Sequence, residues 1–313
     1  MSTTPSATVA GPHGGDGRYV AAALGLDPST IIDLSASLNP FAPDIVGTVR
    51  TVIEREPHAI TSYPDPAAAT RALAGAIDVD ADRLVLTNGG AESIALVAAI
   101  EERGSVVAPE FSLYERHLAT VTDGAPRWRS NPSNPLGQLA TPGESARVWD
   151  EAFYPLATGT WTRGDDTAWR LGSLTKLWAC PGLRIGYLIA PSTSAAAEVR
   201  SRQPQWSVNG LALAVLPRLL ATTELDQWTA SIAELREQFA RDLRGEGFQI
   251  RTTSANWLLI DHPSDLRLLL ARHGVIVRDC TSFGLLDTFR VALPRPQLLE
   301  RVVEAFTAVA QEL

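Results

Sequence analysis

Helical and strand-like patterns alternate along this chain from about residue 70, and that alternation constrains the fold more than any other feature. A helical pattern near 67–77 precedes an apolar strand pattern at Arg83–Thr87, and a second helical pattern covers Ala91–Glu102. Further strand, helix, strand and strand patterns follow at 105–109, 112–122, 146–150 and 183–190. Such alternation predicts an α/β domain with a largely parallel sheet, in which ligands bind at the carboxyl ends of the strands.

The pattern changes after about residue 208. Long apolar-periodic helical segments at Leu211–Ala221 and Leu225–Gly245 precede strands and helices typical of a smaller α+β layer. We therefore predict an N-terminal tail and arm over residues 1–30, a large domain over 31–208 and a small domain over 209–313. The first dozen residues are small and polar, which predicts disorder.

Composition and charge exclude several classes of function. The chain has 313 residues and a formal net charge of −8, with no long cationic run, so nucleic acid and anionic lipid are not expected partners. No stretch approaches the roughly 20 apolar residues that span a bilayer, and the first residues lack the features of a signal peptide. Only Cys180 and Cys280 are present, and neither cysteines nor histidines have metal-ligand spacing. A reduced, cytoplasmic protein without a metal is expected.

A single charge in an apolar stretch points to chemistry. Between Leu171 and Leu183 the only charged residue is Lys176. Such a lysine either extends outward from a sheet edge or is an amine held partly neutral for catalysis. Hydroxyls at Ser173 and Thr175 and the guanidinium of Arg184 would form a phosphate cup beside it, and an amine next to such a cup is typical of a Schiff base to pyridoxal phosphate.

Three other stretches support that interpretation. The sequence TNGGAESIALVAAI (87–100) places two glycines before a helix that begins near Ala91, where free amides could bind a phosphate; the alternative is a glycine-rich turn. Asp150 ends an apolar strand, where a carboxylate could hold a pyridinium nitrogen protonated, or could simply cap a helix. Asn134 lies between prolines, in a rigid turn that could present its amide to a ring oxygen, or could be a turn and nothing more.

The order and spacing of GGAE, FSLY, NPLG, DEAF, SLTK and GLRIG resemble the fold-type I pyridoxal-phosphate enzymes of the aspartate-aminotransferase superfamily. Within it the chain looks similar to the branch that includes histidinol-phosphate aminotransferases and threonine-phosphate decarboxylases of cobalamin biosynthesis. The stretches PHGGDG, IIDLSASLNP, YPDP, PQWSVNG and VRDCTSFGL resemble the decarboxylases more. The resemblance extends from about His13 to the C-terminus. It implies the superfamily fold, with a large domain, a smaller α+β domain and pyridoxal 5′-phosphate as cofactor.

The resemblance also implies roles for particular residues. Lys176 would bind the cofactor covalently, Asp150 would pair with its ring nitrogen and Asn134 with its phenolic oxygen. Tyr114 would stack on the ring, unless it is an ordinary aromatic of an amphipathic helix. The expected phosphate ligands are Gly90, Ala91, Ser173, Thr175 and Arg184.

Substrate contacts and a dimer are implied in the same way. Tyr63 of YPDP would reach the cofactor of a second subunit, which implies a homodimer with shared sites. Arg290 would bind the substrate carboxylate, and the alternative is a surface arginine of a strand. The other expected substrate ligands are Arg278, His13 and Asn39, with His13, Arg278 and Arg290 as candidates for a substrate phosphate. His13 could equally belong to a disordered tail.

Three departures from the family pattern matter. Phe153 stands where relatives commonly have a tyrosine, and Ser37 where they often have asparagine. Only 20 residues separate Tyr114 from Asn134, and 16 separate Asn134 from Asp150. A strand–helix unit and a further helix are therefore expected to be shortened or missing around the sheet.

The expected reaction is decarboxylation of a phosphorylated amino acid, with L-threonine O-3-phosphate giving aminopropanol phosphate. An aminotransferase acting on a phosphorylated amine such as histidinol phosphate is the first alternative, because the same residues would serve both reactions. A cofactor-binding protein that has lost its activity is the second.

Overall fold

The computed structural model describes residues 14–263 and 265–313, so His13 and the predicted disordered start lie outside the described residues. The chain divides into two compact units. The larger unit contains residues 42–134 and 138–229. The smaller unit contains residues 14–41, 135–137 and 230–313 apart from residue 264.

Helices and strands alternate through the larger unit, as predicted. The bounds that follow are those of the elements of both units. The helices are α1 Gly17–Ala23, α2 Ile45–Arg55, α3 His58–Thr61, α4 Ala67–Ile77, α5 Gly90–Glu101, α6 Leu113–His117, α7 Tyr154–Thr158, α8 Leu174–Leu177, α9 Thr193–Arg202, α10 Gly210–Ala221, α11 Leu225–Gly245, α12 Leu266–Arg272 and α13 Leu299–Glu312. The strands are β1 Ile32–Asp33, β2 Leu84–Thr87, β3 Arg103–Val106, β4 Thr120–Val121, β5 Arg127–Ser130, β6 Val148–Asp150, β7 Trp169–Gly172, β8 Gly186–Ile189, β9 Gln249–Arg251, β10 Trp257–Asp261, β11 Val275–Ile276, β12 Arg278–Asp279 and β13 Thr288–Ala292.

The larger unit is built on a seven-stranded sheet in the order β2-β8-β7-β6-β5-β3-β4. Pairing is parallel from β7 to β4, whereas β8 is antiparallel to both of its neighbours. All strands but β8 therefore run the same way, which confirms the predicted mostly parallel sheet. Their carboxyl ends and the amino end of β8 lie at one edge of the sheet, where ligands bind in folds of this kind.

The two faces of this sheet are covered differently. Trp128, Val148 and Trp169 pair across β5, β6 and β7 and belong to the apolar core under α5. On the opposite face the next residues form a row of Arg129, Trp149 and Arg170. All three are buried, because carboxylates and another cation cover them: Glu144 lies 2.5 Å from Arg129, Asp166 lies 2.8 Å from Arg170, and the Arg163 guanidinium stacks 3.9 Å from the Trp149 ring.

The shortened connections are visible in the structure. Residues 131–147, all of which the structure describes, join β5 to β6 without a helix or strand. The helix predicted over 112–122 is wrong in length, since α6 ends at His117 and Thr120–Val121 pair with β3. The pairing of β4 with β3 overrides the local helical pattern, which carries no information about a strand formed earlier in the chain.

The smaller unit contains two sheets. A four-stranded antiparallel sheet has the order β12-β13-β10-β9, and β1 pairs in parallel with β11. Val20 of α1 packs with Ala271 and Ile276, so part of the segment expected to be a tail is folded.

The unit boundaries differ from the predicted domain limits. Helix α10 packs against α2, α3 and α4, which places it in the larger unit, and the division falls inside α11. Residues 31–41 belong to the smaller unit because β1 pairs with β11. Across residues 14–263 and 265–313, no helix is both long and apolar enough to cross a bilayer. The same residues contain no cluster of three or more His, Cys, Asp or Glu side chains suited to a metal ion.

Candidate active site

The predicted cofactor residues of the larger unit follow the strands that end at one edge of its sheet. Asp150 is the last residue of β6, Ser173 follows β7, and Gly89 lies two residues after β2. Arg184 precedes β8, whose reversed direction brings its amino end to the same edge. Four segments far apart in sequence therefore converge on one edge of the sheet.

Glycine permits a close approach at one end of this cluster. Gly89 has φ +77° and precedes α5, and a Cβ at this position would overlap the Arg184 guanidinium. In the described chain no side chain caps the start of α5, and the Glu92 amide donates to the Gly89 carbonyl at 3.1 Å, so the amides of Gly90 and Ala91 are the ones suited to an anion. Ser173 lies beside this helix start, with its Cβ 3.8 Å from the position of a Cβ on Gly90. The combination of helix amides and a guanidinium fits a phosphate.

One expected phosphate ligand is differently occupied. The Thr175 hydroxyl is buried and donates to the Ile185 carbonyl at 3.1 Å, so in this conformation its hydrogen is not available to a phosphate. Arg184, in contrast, is exposed and has φ +53°, a left-handed conformation that is costly for arginine. With the backbone in this conformation, the Arg184 guanidinium lies next to Gly89.

The carboxylate of Asp150 is held by two donors. The Tyr114 hydroxyl donates to its Oδ2 at 2.8 Å, and the Ala152 amide donates to its Oδ1 at 3.0 Å. Burial raises the pKa of Asp150, and the Tyr114 hydroxyl, the Ala152 amide and the charge of Lys176 oppose that rise. Burial and the nearby acidic groups raise the pKa of Tyr114 well above its usual value, so this hydroxyl stays a donor.

Tyr114 itself does not have the surroundings expected of a stacking aromatic. Its side chain has no exposed surface, and its ring packs between Phe111 and Trp128 at centroid distances of 5.9 and 5.8 Å. A ring with no accessible face cannot stack on a ligand without moving. The geometry instead makes Tyr114 the hydrogen-bond partner of Asp150, whereas Phe111 beside it is partly exposed.

Lys176 lies on α8, a single helical turn directly after Ser173 and β7. Its Nζ lies 5.8 Å from the centre of the Phe153 ring. One signal in the sequence was missed: Lys176 is the only lysine among 27 basic side chains, and the other 26 are arginines. An arginine supplies charge but cannot be deprotonated in a protein, so Lys176 is the one side chain in the sequence that could supply a neutral amine.

Asn134 is positioned by a side chain that the sequence patterns did not reveal. The backbone N–H of Asn134 donates to Ser130 Oγ at 2.8 Å, and the Ser130 hydroxyl in turn donates to Glu110 Oε2 at 2.5 Å. Glu110 follows β3, so its strand-end position was the available signal. Burial raises the pKa of Glu110 to about 7, against the lowering effect of the Ser130 hydrogen bonds.

Tyr63 is 79% exposed and stacks on Trp206, which is 54% exposed, with ring centres 4.4 Å apart. Trp206 has φ +57°, a left-handed conformation rare for a bulky residue. Two exposed aromatic side chains in contact, one of them on a strained backbone, are unusual for a surface that only faces water.

The expected substrate residues that the structure describes, Asn39, Arg278 and Arg290, lie in the smaller unit. Arg278 and Arg290 are directly opposite each other on β12 and β13, and both are buried. Burial lowers the pKa of Arg290 to about 10 and also lowers that of Arg278. Arg290 donates to the Ser35 carbonyl and Arg278 to the Ser282 hydroxyl. Like charges directly opposite on a sheet are destabilising, so the pair suits a ligand with anionic groups.

Asn39 and the N-terminal residues are more tightly placed than expected. Asn39 is buried, and its Oδ1 accepts a hydrogen bond from the Phe41 backbone N–H at 2.9 Å, which stabilises the turn formed by residues 39–41. The described chain begins at Gly14, and the Gly15 amide donates to Ser35 Oγ at 2.8 Å. A Cβ on Gly14 would overlap the Ser35 carbonyl, so only glycine permits this approach.

Comparison with known families decides the class. The profile of the class I and II aminotransferases matches residues 128–306, which span more than half of the chain. The chain belongs to the class I and II aminotransferase family. The matched segment includes Asn134, Asp150, Lys176, Arg184 and Arg290.

The chain is also similar over nearly its whole length to individual known proteins. A threonine-phosphate decarboxylase from Salmonella typhimurium is 30% identical over 95% of this chain and 96% of that protein. A histidinol-phosphate aminotransferase from Haloarcula marismortui is 26% identical over 94% of each. The alignment with the decarboxylase spans 353 positions, whereas this chain has 313 residues. Dozens of residues of the decarboxylase therefore have no counterpart in this chain.

Solved structures confirm the fold. A histidinol-phosphate aminotransferase from Clostridium acetobutylicum has a TM-score of 0.78 at 22% identity, covering 90% of this chain and 99% of that one. An L-threonine-O-3-phosphate decarboxylase from Porphyromonas gingivalis has a TM-score of 0.77 at 19% identity, covering 89% and 99%. A histidinol-phosphate aminotransferase from Sinorhizobium meliloti, solved with pyridoxal-5′-phosphate, has a TM-score of 0.74 at 16% identity, covering 89% and 90%.

The larger unit fits the cofactor of this family, pyridoxal 5′-phosphate. The amides of Gly90 and Ala91 and the Arg184 guanidinium suit its phosphate, and Lys176 supplies the amine that its aldehyde requires. Asp150 is a carboxylate held by donors at a strand end, as the ring nitrogen of that cofactor requires. The chain is thus a pyridoxal-phosphate enzyme by family and by the donor groups it presents.

Proposed function

We propose that this chain decarboxylates a phosphorylated amino acid, with L-threonine O-3-phosphate as the first candidate substrate. The observation that carries the proposal is the position of the sole lysine. Lys176 lies on the single helical turn α8 that follows β7, at the sheet edge where Asp150 ends β6. The 30% identity to a threonine-phosphate decarboxylase over nearly the whole of both chains supports this substrate class.

The opposed arginines of the smaller unit support a substrate with two anionic groups. A phosphorylated amino acid carries a carboxylate and a phosphate, whereas histidinol phosphate carries only a phosphate. In this proposal Arg290 binds the carboxylate, Arg278 binds the phosphate, and His13 and Asn39 complete the substrate contacts.

Each residue of the larger unit then has a chemical task. When bound, the cofactor supplies an aldehyde that condenses with amines and a ring that accepts an electron pair. Lys176 holds the cofactor between turnovers, and its Nζ then delivers the proton that replaces the departing carboxylate on the substrate Cα. Asp150 keeps the ring nitrogen protonated, Tyr114 holds Asp150, and Asn134 donates to the phenolic oxygen. Phe153 has no hydroxyl with which to assist Asn134 at the phenolic oxygen.

Product analysis tests the reaction. We expect the cofactor-loaded protein to convert L-threonine O-3-phosphate into aminopropanol phosphate and carbon dioxide without an oxo acid, as measured by mass spectrometry. Formation of glutamate only when an amino donor substrate and 2-oxoglutarate are both supplied would favour the aminotransferase. Absence of turnover with L-threonine O-3-phosphate, L-serine O-phosphate and histidinol phosphate would favour a cofactor-binding protein that has lost its activity.

We also propose a homodimer with shared sites, supported by exposed apolar side chains of the larger unit. The exposed apolar side chains of that unit include Val46, Ile53, Ile60, Tyr63 and Trp206. In this arrangement Tyr63 reaches the cofactor of the second subunit, with Trp206 stacked behind it.

Sedimentation velocity tests the dimer. We expect twice the chain mass of 33.6 kDa for the wild type, and a monomer with weakened cofactor binding after Ile60→Glu. Ile60 is 60% exposed, so the substitution should not unfold the chain. Leu286→Glu is the matched control, because Leu286 is 73% exposed in the smaller unit and should leave the dimer intact. A monomeric wild type that binds the cofactor fully would contradict the shared site.

A further inference from the structure

Glu110 is a carboxylate outside the set of expected site residues. It lies four residues beyond the end of β3, in the segment that leads to α6. Its Oε1 accepts from the Ser130 amide at 3.0 Å, and its Oε2 accepts from the Ser130 hydroxyl at 2.5 Å and the Phe111 amide at 3.2 Å. Three donors on one partly buried carboxylate make an anchor between the end of β3 and the end of β5.

The anchor extends to Asn134 through one hydroxyl. Ser130 Oγ donates its hydrogen to Glu110 and accepts a hydrogen bond from the backbone N–H of Asn134, so the donor direction runs from Asn134 to Glu110. This relay stands in the shortened region, where residues 131–147 have no helix to hold the turn. The groups that face Glu110 electrostatically are Asp150 on β6, Tyr114 on α6 and Arg129 on β5.

We propose that Glu110 is a positioning residue for the cofactor, which holds the Asn134 turn through Ser130 in the orientation that binds the phenolic oxygen. This inference rests on the proposed function, since Asn134 contacts the cofactor only if the site binds one. Glu110 itself touches neither the cofactor nor the substrate; it acts through the serine.

The protonation state of Glu110 should be visible in cofactor binding. Burial raises the pKa of this carboxyl from 4.5 to about 7. Above pH 7 both oxygens accept, as in the structure. Below pH 7 one oxygen carries a hydrogen, and the negative charge that orients the Ser130 hydroxyl is lost, which weakens the hold of Ser130 Oγ on the Asn134 backbone N–H. The cofactor should therefore bind more tightly at pH 8 than at pH 6, beyond the change that the cofactor's own groups cause.

Folding stability should depend on pH in the opposite direction. A carboxyl whose pKa is higher in the folded than in the unfolded chain contributes stability below pH 4.5 and loses it as pH rises through about 7. Glu110→Gln should thus raise the melting temperature of the apoprotein at pH 8 while weakening cofactor binding at the same pH. A merely structural residue would change both in the same direction.

The experiment compares the full-length wild type with Glu110→Gln and Ser130→Ala. The probe is pyridoxamine 5′-phosphate, which cannot condense with Lys176, titrated at pH 6 and pH 8. We expect the ratio of affinities at pH 8 and pH 6 to be about fivefold larger in the wild type than in either variant, the equivalent of one ordinary hydrogen bond. Glutamine presents an N–H to Ser130 Oγ at every pH, so it mimics the protonated acid.

Glu151→Gln is the matched control. Burial also raises the pKa of Glu151 to about 7, but its Oε1 accepts from the Arg163 amide and it has no contact with Ser130. The ratio should stay at the wild-type value in this variant. Equal ratios in the wild type and Glu110→Gln would overturn the inference.

Hydrogen exchange of the apoprotein separates this inference from the proposed function. The Asn134 amide should exchange faster at pH 8 in Glu110→Gln and Ser130→Ala than in the wild type, after correction for intrinsic rates. A wild type that binds no cofactor at either pH would overturn the proposed function, and the Asn134 exchange rate would still decide whether Glu110 holds the turn. Unchanged exchange in both variants would overturn the relay.

Discussion

Replacement of Lys176 by arginine is expected to abolish turnover while leaving the fold intact. Arginine keeps the positive charge that lowers the pKa of Asp150 and has a stem of similar length. It cannot be deprotonated in a protein, so it can neither condense with the cofactor aldehyde nor deliver a proton. We expect kcat to fall at least about a thousandfold, because proton transfer by a positioned group alone contributes roughly 10²–10⁴-fold.

The single lysine makes the covalent part of this prediction unusually clear. Reduction of the cofactor-loaded wild type with borohydride should attach one pyridoxyl group to the peptide that contains Lys176, with the α-amine as the only competing primary amine. Arg241→Lys is the control, since it adds an exposed lysine on α11 that should remain unlabelled. Equal labelling of residue 241 in that variant, or undiminished turnover in Lys176→Arg, would refute the assignment of the lysine.

Local sequence patterns predicted the helices and strands that are specified by the periodicity of their own residues. Helix α4 matches the predicted 67–77, and β2 and α10 lie within a residue of the predicted bounds. Apolar periodicity and the flanking turn residues suffice there, because the same pattern that favours the element also determines which side is buried. Helix α6 is the counter-example. Thr120–Val121 join β3 in the structure, and a pairing between segments 17 residues apart leaves no trace in a local window.

The site was predictable to the same extent. Lys176, Asp150 and Arg184 could be found because each is a charge within an apolar segment at a strand end. The partner of Asp150 could not, since an aromatic at Tyr114 fits a core position and a ligand-facing position equally well in a sequence. The structure decides by burying the ring and aiming its hydroxyl at Oδ2. Glu110 was missed because Ser130, the β5 residue that it holds, lies 20 residues away in the sequence.

Asp150→Asn is expected to give the second-largest effect, and the reason is charge rather than shape. Asparagine can still accept the Tyr114 hydroxyl, so the packing around β6 is retained. It cannot hold a ring nitrogen protonated. Removing one partner of a buried ion pair costs about 3–5 kcal/mol, which corresponds to a loss of roughly 200- to 5,000-fold in kcat if the pair acts in the rate-limiting step.

Tyr114→Phe is the matched variant, because it removes only the hydroxyl that lowers the pKa of Asp150. That pKa should rise, so the acidic limb of the pH–rate profile should move to higher pH with little loss at its plateau. A cofactor methylated on its ring nitrogen carries a permanent positive charge and should restore much of the activity of Asp150→Asn without helping Tyr114→Phe. If the methylated cofactor restores nothing, the carboxylate acts on some other group, and the role of Asp150 as partner of the ring nitrogen is wrong.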